Sequence, residues 1–209
     1  MYCDMFGSPF TAQLIKRISE DYERGGPVAA LLNDWATNPR ADALALRLAG
    51  YFHHVVLVNR DPDLAAHYPS NLANWSIEDI WPRARALLER EPNAAAQFIR
   101  SAPQTNETRR SIGLLAAFLH FAESWKGEID MIEIGASAGL NLNWDRFAYR
   151  TANWRWGQES PVLIDTDWNG PPPPVNASIT VRNRAACDLN PLDIRDEAAR
   201  LRLKSYIWP

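Results

Sequence analysis

Apolar side chains recur at helical spacing through roughly the first 125 residues of the chain. They form five series: Phe10, Leu14, Ile18 and Tyr22; Val28, Leu31, Leu32 and Trp35; Leu44, Leu48, Tyr51, Phe52 and Val55; Ile80, Ala84, Leu87 and Leu88; and Ile112, Leu115, Leu119 and Ala122. Steps of three and four residues place each series on one face of an α-helix. Ser8-Pro9 and the pair of Ser76 and Asp79 are typical helix starts. The pattern therefore predicts a helical N-terminal region.

The pattern changes after Lys126-Gly127. A short apolar run at 131–134 predicts a strand, and a β-branched run at 179–182, continuing toward Cys187, predicts a second one. Two more helices are predicted, one through Leu140, Trp144 and Phe147 and one that starts at Asn190-Pro191 and continues through Ile194, Ala198 and Leu201. Residues 150–178 contain four consecutive prolines and predict an irregular insertion.

The predicted fold class is α/β, with a helical region at 1–125 followed by the start of a parallel sheet at 126–209. Two strands alone do not make a stable parallel sheet, because both faces and both edges need partners. Either further strands lie beyond this chain or the N-terminal helices cover the short sheet, and we favour the first explanation, that the chain is truncated at its C-terminus. An unpaired sheet edge of this kind is also a possible site of self-association.

Composition and charge narrow the classes of partner. The net charge is −3, so the chain lacks the basic footprint of a nucleic-acid-binding protein. No apolar run reaches the ~18 residues that span a bilayer, and we predict no membrane segment. The first residues lack the basic region and apolar core of a signal peptide, which predicts a cytoplasmic protein. Cys3 and Cys187 are too few for a disulfide framework.

The tryptophans are candidates for lining a binding pocket, and the histidines are candidates for binding a metal ion. Four of the nine tryptophans are Trp144, Trp154, Trp156 and Trp168. Such rings line pockets in some proteins, but we favour the interpretation that they pack an irregular segment. His53 and His54 are adjacent, so on a helix they point about 100° apart and do not share a metal ion in the i, i+4 manner. We predict no metal site.

The segment 130–141 carries the strongest functional signal, because its apolar strand ends in Glu133 and the turn Gly135-Ala136-Ser137-Ala138-Gly139. A strand, a glycine turn and a helix start form a site for nucleotide-like ligands, with backbone N–H groups directed out of the turn. The same letters match G-x-S-x-G, the serine elbow of α/β-hydrolases. A hydrolase needs a histidine after the serine, however, and no histidine follows residue 120.

Several segments together resemble one family. They are residues 132–142, Tyr68-Pro69-Ser70, Gln104-Thr105-Asn106-Glu107 with Arg110, residues 187–193, and the final Trp208-Pro209. They are similar to an uncharacterised bacterial domain-of-unknown-function family that is grouped with the class I S-adenosylmethionine-dependent methyltransferases. The resemblance implies a Rossmann-like sheet and a small-molecule cofactor, S-adenosylmethionine.

The resemblance also implies which residues would hold that cofactor. The methionine part would lie against Glu133, Gly135, Ala136, Ser137 and Gly139, and Asp188 would accept the ribose hydroxyls. Asp188 lies about 50 residues past the glycines, whereas ~20 is usual in dinucleotide folds, and the proline-rich insertion would account for the difference. Asn106, Glu107 and Arg110 are candidates for substrate contact, and no catalytic residue is predicted. The alternatives are an inactive interaction module without cofactor and a serine hydrolase that uses Ser137.

Overall fold

The computed structural model describes residues 8–209, and about 47% of the chain is helical. Among the described residues the α-helices are α1 (Pro9–Glu23), α2 (Pro27–Leu32), α3 (Leu44–Leu57), α4 (Pro62–His67), α5 (Ile77–Arg90), α6 (Pro92–Ile99), α7 (Ser111–Ser124) and α8 (Glu197–Lys204). The strands are β1 (Glu128–Ile134), β2 (Ala148–Arg150), β3 (Arg155–Trp156), β4 (Leu163–Asp165) and β5 (Thr180–Cys187). Two 3₁₀ helices, Thr108–Arg110 and Leu140–Arg146, complete the elements. The mixed α/β class and the parallel sheet after a helical region are confirmed.

The chain divides into two compact units. The first comprises the residues up to Thr105 together with Arg195–Pro209, and the second comprises Asn106–Ile194. Helix α7 therefore belongs to the same unit as the sheet. The predicted domain division at residue 125 stays a prediction.

The first unit has one helical core, to which four of the predicted apolar series contribute, and α4 and α6, which lie outside those series, add residues such as Leu64 and Ile99. Its most deeply buried members include Leu14, Leu44, Leu48, Phe52, Val55, Leu64, Ile80, Ala84 and Leu87. Tyr22 is exposed, because α1 ends one residue after it at Glu23. Helix starts follow the sequence only in part. The Ser76 hydroxyl accepts a hydrogen bond from Glu78 N–H, whereas the Ser8 hydroxyl donates to Thr11 Oγ1 and caps no backbone N–H.

The last segment of the chain is bonded to α3 within this unit. His53 Nδ1–H donates to the Ser205 carbonyl over 3.1 Å, and the Tyr206 ring lies over Gly50. A Cβ on Gly50 would come within 2.5 Å of that ring, so only glycine fits there. The last helix starts later than predicted, since Asp196 caps α8 by accepting from Ala198 and Ala199 N–H, and residues at Asn190-Pro191 are not helical.

The second unit contains two small sheets. Strands β1 and β5 pair in parallel as a two-stranded sheet, and β2 pairs with β3 antiparallel and with β4 parallel in a second sheet. β3 and β4 lie within residues 150–178, so the segment predicted to be irregular holds short strands. The identity of the β1–β5 sheet as the start of a Rossmann sheet stays a prediction.

Aromatic rings form the core of the second unit. Trp144 is completely buried and stacks on Phe118 at 4.9 Å, and its Nε1–H donates to Met131 Sδ. The buried members of this core are Leu115, Leu119, Trp144, Phe147, Tyr149, Trp154 and Ile164. Trp156 and Trp168 pack against it, so all four tryptophans of this region fill the interior around the short strands. This arrangement agrees with the packing interpretation of those rings.

Candidate functional site

Parallel pairing of β1 and β5 brings the ends of the two strands to one edge. Glu133 is opposite Ala186 and Ile134 is opposite Cys187, so the glycine loop begins where β5 ends. Asp188 follows Cys187 directly and its carboxylate reaches the loop, although 51 residues separate it from Ser137. The long insertion therefore leaves the Asp188 carboxylate beside the loop.

Three residues of the loop have left-handed backbone conformations. The φ angles are +71° at Gly135, +53° at Ser137 and +67° at Gly139. A Cβ on Gly135 would meet nothing within 4 Å, and one on Gly139 would meet Leu142 Cδ1 at an ordinary 3.9 Å. The two glycines are therefore needed for their backbone angles. At Ser137, a non-glycine residue, the left-handed conformation stores about 1–3 kcal/mol of strain.

The end of β5 holds the first half of the loop. Gly135 N–H and Ala136 N–H both donate to the Cys187 carbonyl, over 2.8 and 3.2 Å. Ser137 N–H donates to Asp188 Oδ2 over 2.8 Å, and Asp188 Oδ1 accepts from Asn190 N–H over the same distance. The last two of these bonds fix the Asp188 carboxylate against the loop, and the first two hold the loop to the end of β5. They also offset the strain at Ser137.

Asn106 holds the second half of the loop. Its Oδ1 accepts from Leu140 N–H over 2.8 Å, and its Nδ2 donates to the Ala136 carbonyl over 3.2 Å. Glu107 and Arg110, the other two predicted substrate contacts, are exposed and bond to each other at 2.8 Å. The structure thus brings Asn106 to the predicted cofactor loop, where it binds protein backbone. It leaves Glu107 and Arg110 paired on the surface.

These contacts change the expected chemistry of the loop. Backbone N–H groups of residues 135, 136, 137, 139 and 140 all donate to protein acceptors. The expectation that loop N–H groups point outward to a ligand is therefore wrong for these five donors. The predicted helix after the loop is also wrong, because Leu140–Arg146 is a 3₁₀ helix with a kink at Asn143. Carboxylate and amide oxygens remain as the candidate ligand-binding groups of the site.

Glu133 is the main candidate among those groups. Its side chain is partly buried on the inner face of β1, and Oε2 is inaccessible to solvent and has no hydrogen-bond partner among the described residues. Burial raises the pKa of the Glu133 carboxyl above its usual value. A buried carboxylate oxygen without a partner is costly to the fold, and such groups recur at functional sites.

Asn141 is a site residue that the sequence alone did not single out. Its Oδ1 is also buried and without a partner in the described structure. Asn141 lies in the 3₁₀ helix that follows the loop, and this helix contacts β1 through Trp144 and Met131. Glu133 and Asn141 thus each hold a buried acceptor oxygen without a partner, one on the strand before the loop and one in the helix after it. The signal in the sequence was weak, because an asparagine after a glycine turn is common in any turn.

Arg184 positions the 3₁₀ helix and was likewise missed. Its guanidinium donates to the Leu142 carbonyl and pairs with Asp145, and both charged side chains are largely buried. Arg184 lies on β5 opposite Met131, so the pair ties the sheet to the segment that follows the loop. An arginine in a polar run carries no distinguishing signal before the register is known.

Ser137, the candidate nucleophile of the hydrolase alternative, lies in a unit with one histidine. His120 is on α7, exposed, and its Nδ1 lies 3.2 Å from Glu123 Oε2. Among residues 8–209 there is no group of three or more His, Cys, Asp or Glu side chains that could hold a metal ion. Within the same residues no helix has the length and apolar character needed to cross a membrane.

The fold and the loop define a mixed α/β protein with a candidate small-molecule site at the carboxyl end of a parallel strand pair. A family model described as an uncharacterized protein conserved in bacteria (DUF2332) matches residues 1–209, and the chain belongs to this family. The predicted resemblance to an uncharacterised bacterial family is confirmed, whereas nothing in the match links the family to methyltransferases. No curated protein and no solved structure matches the chain.

Proposed function

We propose that the glycine loop binds S-adenosylmethionine and that the chain is a cofactor-binding protein of the methyltransferase type. One observation carries the proposal: two carboxylates, Glu133 and Asp188, flank the loop at the carboxyl ends of adjacent parallel strands. Ligands of open parallel sheets bind outside those strand ends. The cofactor carries an ammonium group and a ribose diol, and both are hydrogen-bond donors that carboxylates bind well.

Glu133 fits the ammonium group. Its buried Oε2 has no partner in the described structure, so a charged donor would satisfy it without displacing an existing bond. Burial alone raises the pKa of Glu133, and a neighbouring cation would favour the ionised form and lower that pKa again. Asn141 Oδ1, in the 3₁₀ helix that follows the loop, is a second buried acceptor without a partner. These two residues would orient the methionine part.

Asp188 fits the ribose. Ser137 and Asn190 N–H groups hold its two oxygens at fixed positions beside the loop, and a carboxylate accepts up to about four hydrogen bonds. Gly135, Ala136 and Gly139 would form the wall against which the cofactor lies. The bound cofactor would supply an activated methyl group. The chain's own residues bind and orient it, and no residue is assigned to the transfer step.

A thermal melt with and without S-adenosylhomocysteine tests the proposal. At about 100 times its dissociation constant a ligand adds about 2.7 kcal/mol to the free energy of unfolding, which shifts the melting temperature by several degrees. We expect this shift in the native chain and in Glu128→Gln, the matched control at the other end of β1. Glu133→Gln should lose most of it, because the amide cannot pair with an ammonium as a charge.

Two outcomes would contradict the proposal. If the melting temperature of the native chain does not shift, the chain does not bind this cofactor. If Glu133→Gln and Glu128→Gln shift equally, Glu133 does not contribute to binding. Adenosine and methionine, added separately, distinguish the two halves of the site. Asp188→Asn should weaken the response to adenosine and leave that to methionine unchanged.

A second candidate function is an interaction module without cofactor. The observation that favours it is the outer face of β1, where Ile132 and Ile134 are exposed although parallel sheets are normally covered on both faces. Analytical ultracentrifugation over a hundredfold range of concentration tests self-association. Concentration-dependent dimers that Ile134→Lys abolishes would support it, and a monomer at every concentration would contradict self-association through this face.

A further inference from the structure

One face of α3 lies under the last segment of the chain, within the helical unit. Arg47 and Gly50 are three residues apart, so they lie on the same face of this helix. The Tyr206 ring covers Gly50, and its Cζ, the atom that carries the hydroxyl, would lie 3.0 Å from a Cβ at that position. The Tyr206 hydroxyl therefore lies about one helical turn along this face from the backbone of Arg47.

Two guanidinium groups come together at the end of α6. Arg47, from α3, and Arg202, from α8, bind four consecutive backbone carbonyls at residues 98–101. Arg47 Nη1 donates to the middle two over 2.9 and 3.3 Å, and Arg202 Nη2 donates to the outer two over 2.9 and 3.4 Å. The Arg47 guanidinium also lies 5.4 Å from the centre of the Trp35 ring, and that of Arg202 lies 4.2 Å from the centre of the Phe98 ring. Both side chains are thus fixed with their positive charges close together.

These two charges lack a fully charged counterion. Their hydrogen bonds go to uncharged carbonyls, and neither guanidinium pairs with a carboxylate in the part of the chain that the structure describes. The Asp42 carboxylate is bound by Thr37 and Trp35 instead. Those two bonds lower the pKa of Asp42, and the charge of Arg47 contributes less. The ends of α6 and α8 each supply about half a unit of negative charge, so about one positive charge stays uncompensated. This charge is costly because Arg47 is only 8% exposed.

Two hydrogen-bond donors of the same cluster are unused. Arg47 Nε and the Tyr206 hydroxyl are both buried, and neither has a hydrogen-bond partner among residues 8–209. Burial raises the pKa of the Tyr206 hydroxyl, and the positive charges of Arg202 and Arg47 act against that rise, so both charges lie within electrostatic reach of the hydroxyl. Buried donors without an acceptor are costly, and a bound ion is one of the groups that satisfies them.

We propose that Arg47, Arg202 and Tyr206 form a binding site for a small soluble oxyanion, a phosphate or a carboxylate. The anion accepts hydrogen bonds from Arg47 Nε and the Tyr206 hydroxyl, and Arg202 supplies the second positive charge. It balances the uncompensated charge and satisfies both unused donors, and guanidinium groups bind oxyanions well. The cluster reaches solvent where Arg202 bonds to the exposed Ser101 carbonyl. The site lies wholly in the helical unit and does not depend on the proposed cofactor loop.

Isothermal titration calorimetry with inorganic phosphate at constant ionic strength tests the site. Tyr206→Phe removes only the unused hydroxyl. It should weaken phosphate binding by about tenfold, because a hydrogen bond to a charged group is lost. It should not lower the melting temperature of the phosphate-free chain, because the hydroxyl bonds to nothing there. The matched control is Tyr51→Phe, because the Tyr51 hydroxyl accepts from Arg60 over 2.8 Å in the same unit. This control should lower the melting temperature and leave phosphate binding unchanged.

Arg202→Gln tests the charge at a side chain that is only partly buried, so the fold should tolerate the change. Phosphate binding should weaken by at least about tenfold, because one of the two charges is lost. Arg202→Lys keeps the charge and loses the planar fork, and its loss of affinity should be smaller. The matched control is Arg100→Gln, which changes the net charge equally at an exposed side chain. It should alter phosphate binding by less than about twofold, because solvent screens exposed charges.

Acetate identifies the kind of oxyanion. Tighter binding of phosphate than of acetate would indicate a phosphate group, and the reverse would indicate a carboxylate. If the native chain binds neither ion, the cluster is not an oxyanion site. Equal phosphate binding by the native chain and Tyr206→Phe would overturn the proposal, as would equal losses in Arg202→Gln and Arg100→Gln. A phosphate-free Tyr206→Phe that is destabilised as much as Tyr51→Phe would show that the Tyr206 hydroxyl is already bonded in solution, which also contradicts the site.

Discussion

The helical unit and the sheet unit treat the same kind of residue in opposite ways. In α1, Leu14 and Ile18 are 1% and 2% exposed, as the helical spacing predicts. In β1, Ile132 and Ile134 are equally apolar and equally regular in spacing, yet they are 75% and 83% exposed. Pattern alone therefore predicts burial in one unit and fails to predict it in the other.

The difference comes from where each element finds its partners. A helix satisfies its backbone internally, and its apolar stripe needs only one neighbouring helix, which the first unit supplies several times. A parallel strand needs neighbours at both edges and cover on both faces. Within Asn106–Ile194, β1 pairs with β5 at one edge. The inner face of β1, through Met131, packs against the aromatic core.

The largest expected effect comes from truncating a buried side chain of the helical core, and the comparison is with an exposed apolar side chain of β1. Leu48→Ala should lower the free energy of unfolding by about 2–5 kcal/mol, because it leaves a cavity in the helical core. Ile132→Thr, which keeps the β-branched shape, should change it by less than about 0.5 kcal/mol. Denaturant titration followed by far-UV circular dichroism and tryptophan fluorescence measures both. A loss above about 1 kcal/mol at Ile132 would show that its face is covered in solution.

A smaller change in stability is expected when alanine replaces a helical glycine, and its sign should differ between Gly50 and Gly113. Gly50→Ala should destabilise the first unit by about 1–3 kcal/mol, because the new Cβ would lie 2.5 Å from the Tyr206 ring. Gly113→Ala in α7 meets nothing within 4 Å and should stabilise its unit by up to about 1 kcal/mol through helix propensity. Thermal melts of the two variants give the comparison. Equal effects would mean that the last segment of the chain does not hold its place against α3.

The smallest expected effect is the dependence of stability on pH that comes from two histidines of the helical unit, His53 and His54. Burial lowers the pKa of His53 and of His54 below the ordinary value of 6.5. The unfolded chain then binds protons more readily than the folded chain, so stability is complete above about pH 6.5 and falls as the pH decreases below it. Each histidine contributes at most about 1.4 kcal/mol per pH unit in that range.

The corresponding measurement is a series of denaturant titrations between pH 5 and 7.5. His53→Gln should flatten the slope of stability against pH, and His120→Gln, which removes an exposed histidine from the other unit, serves as the control. A slope that is the same in His53→Gln and in the native chain would show that His53 is not buried in solution.

The sequence predicted the local elements of the candidate site, but it did not predict the hydrogen bonds that distant residues make to them. The run from Glu133 to Gly139 predicts the end of a strand and a glycine turn. The neighbours of the loop come from residues about 30 and about 50 positions away, Asn106 and Asp188, whose bonds depend on the register of β1 with β5. Asn141 and Arg184 became visible only through that register.

The sequence by itself determined helices α1, α2, α3, α5 and α7, their buried faces and the glycine turn, because these follow from spacing and backbone freedom within a few residues. It did not determine that the loop's N–H groups are used by Cys187, Asp188 and Asn106, or that the following segment is a 3₁₀ helix. Only the tertiary structure decided those points. Hydrogen bonds between distant segments depend on how the strands pair, and no local pattern encodes that pairing.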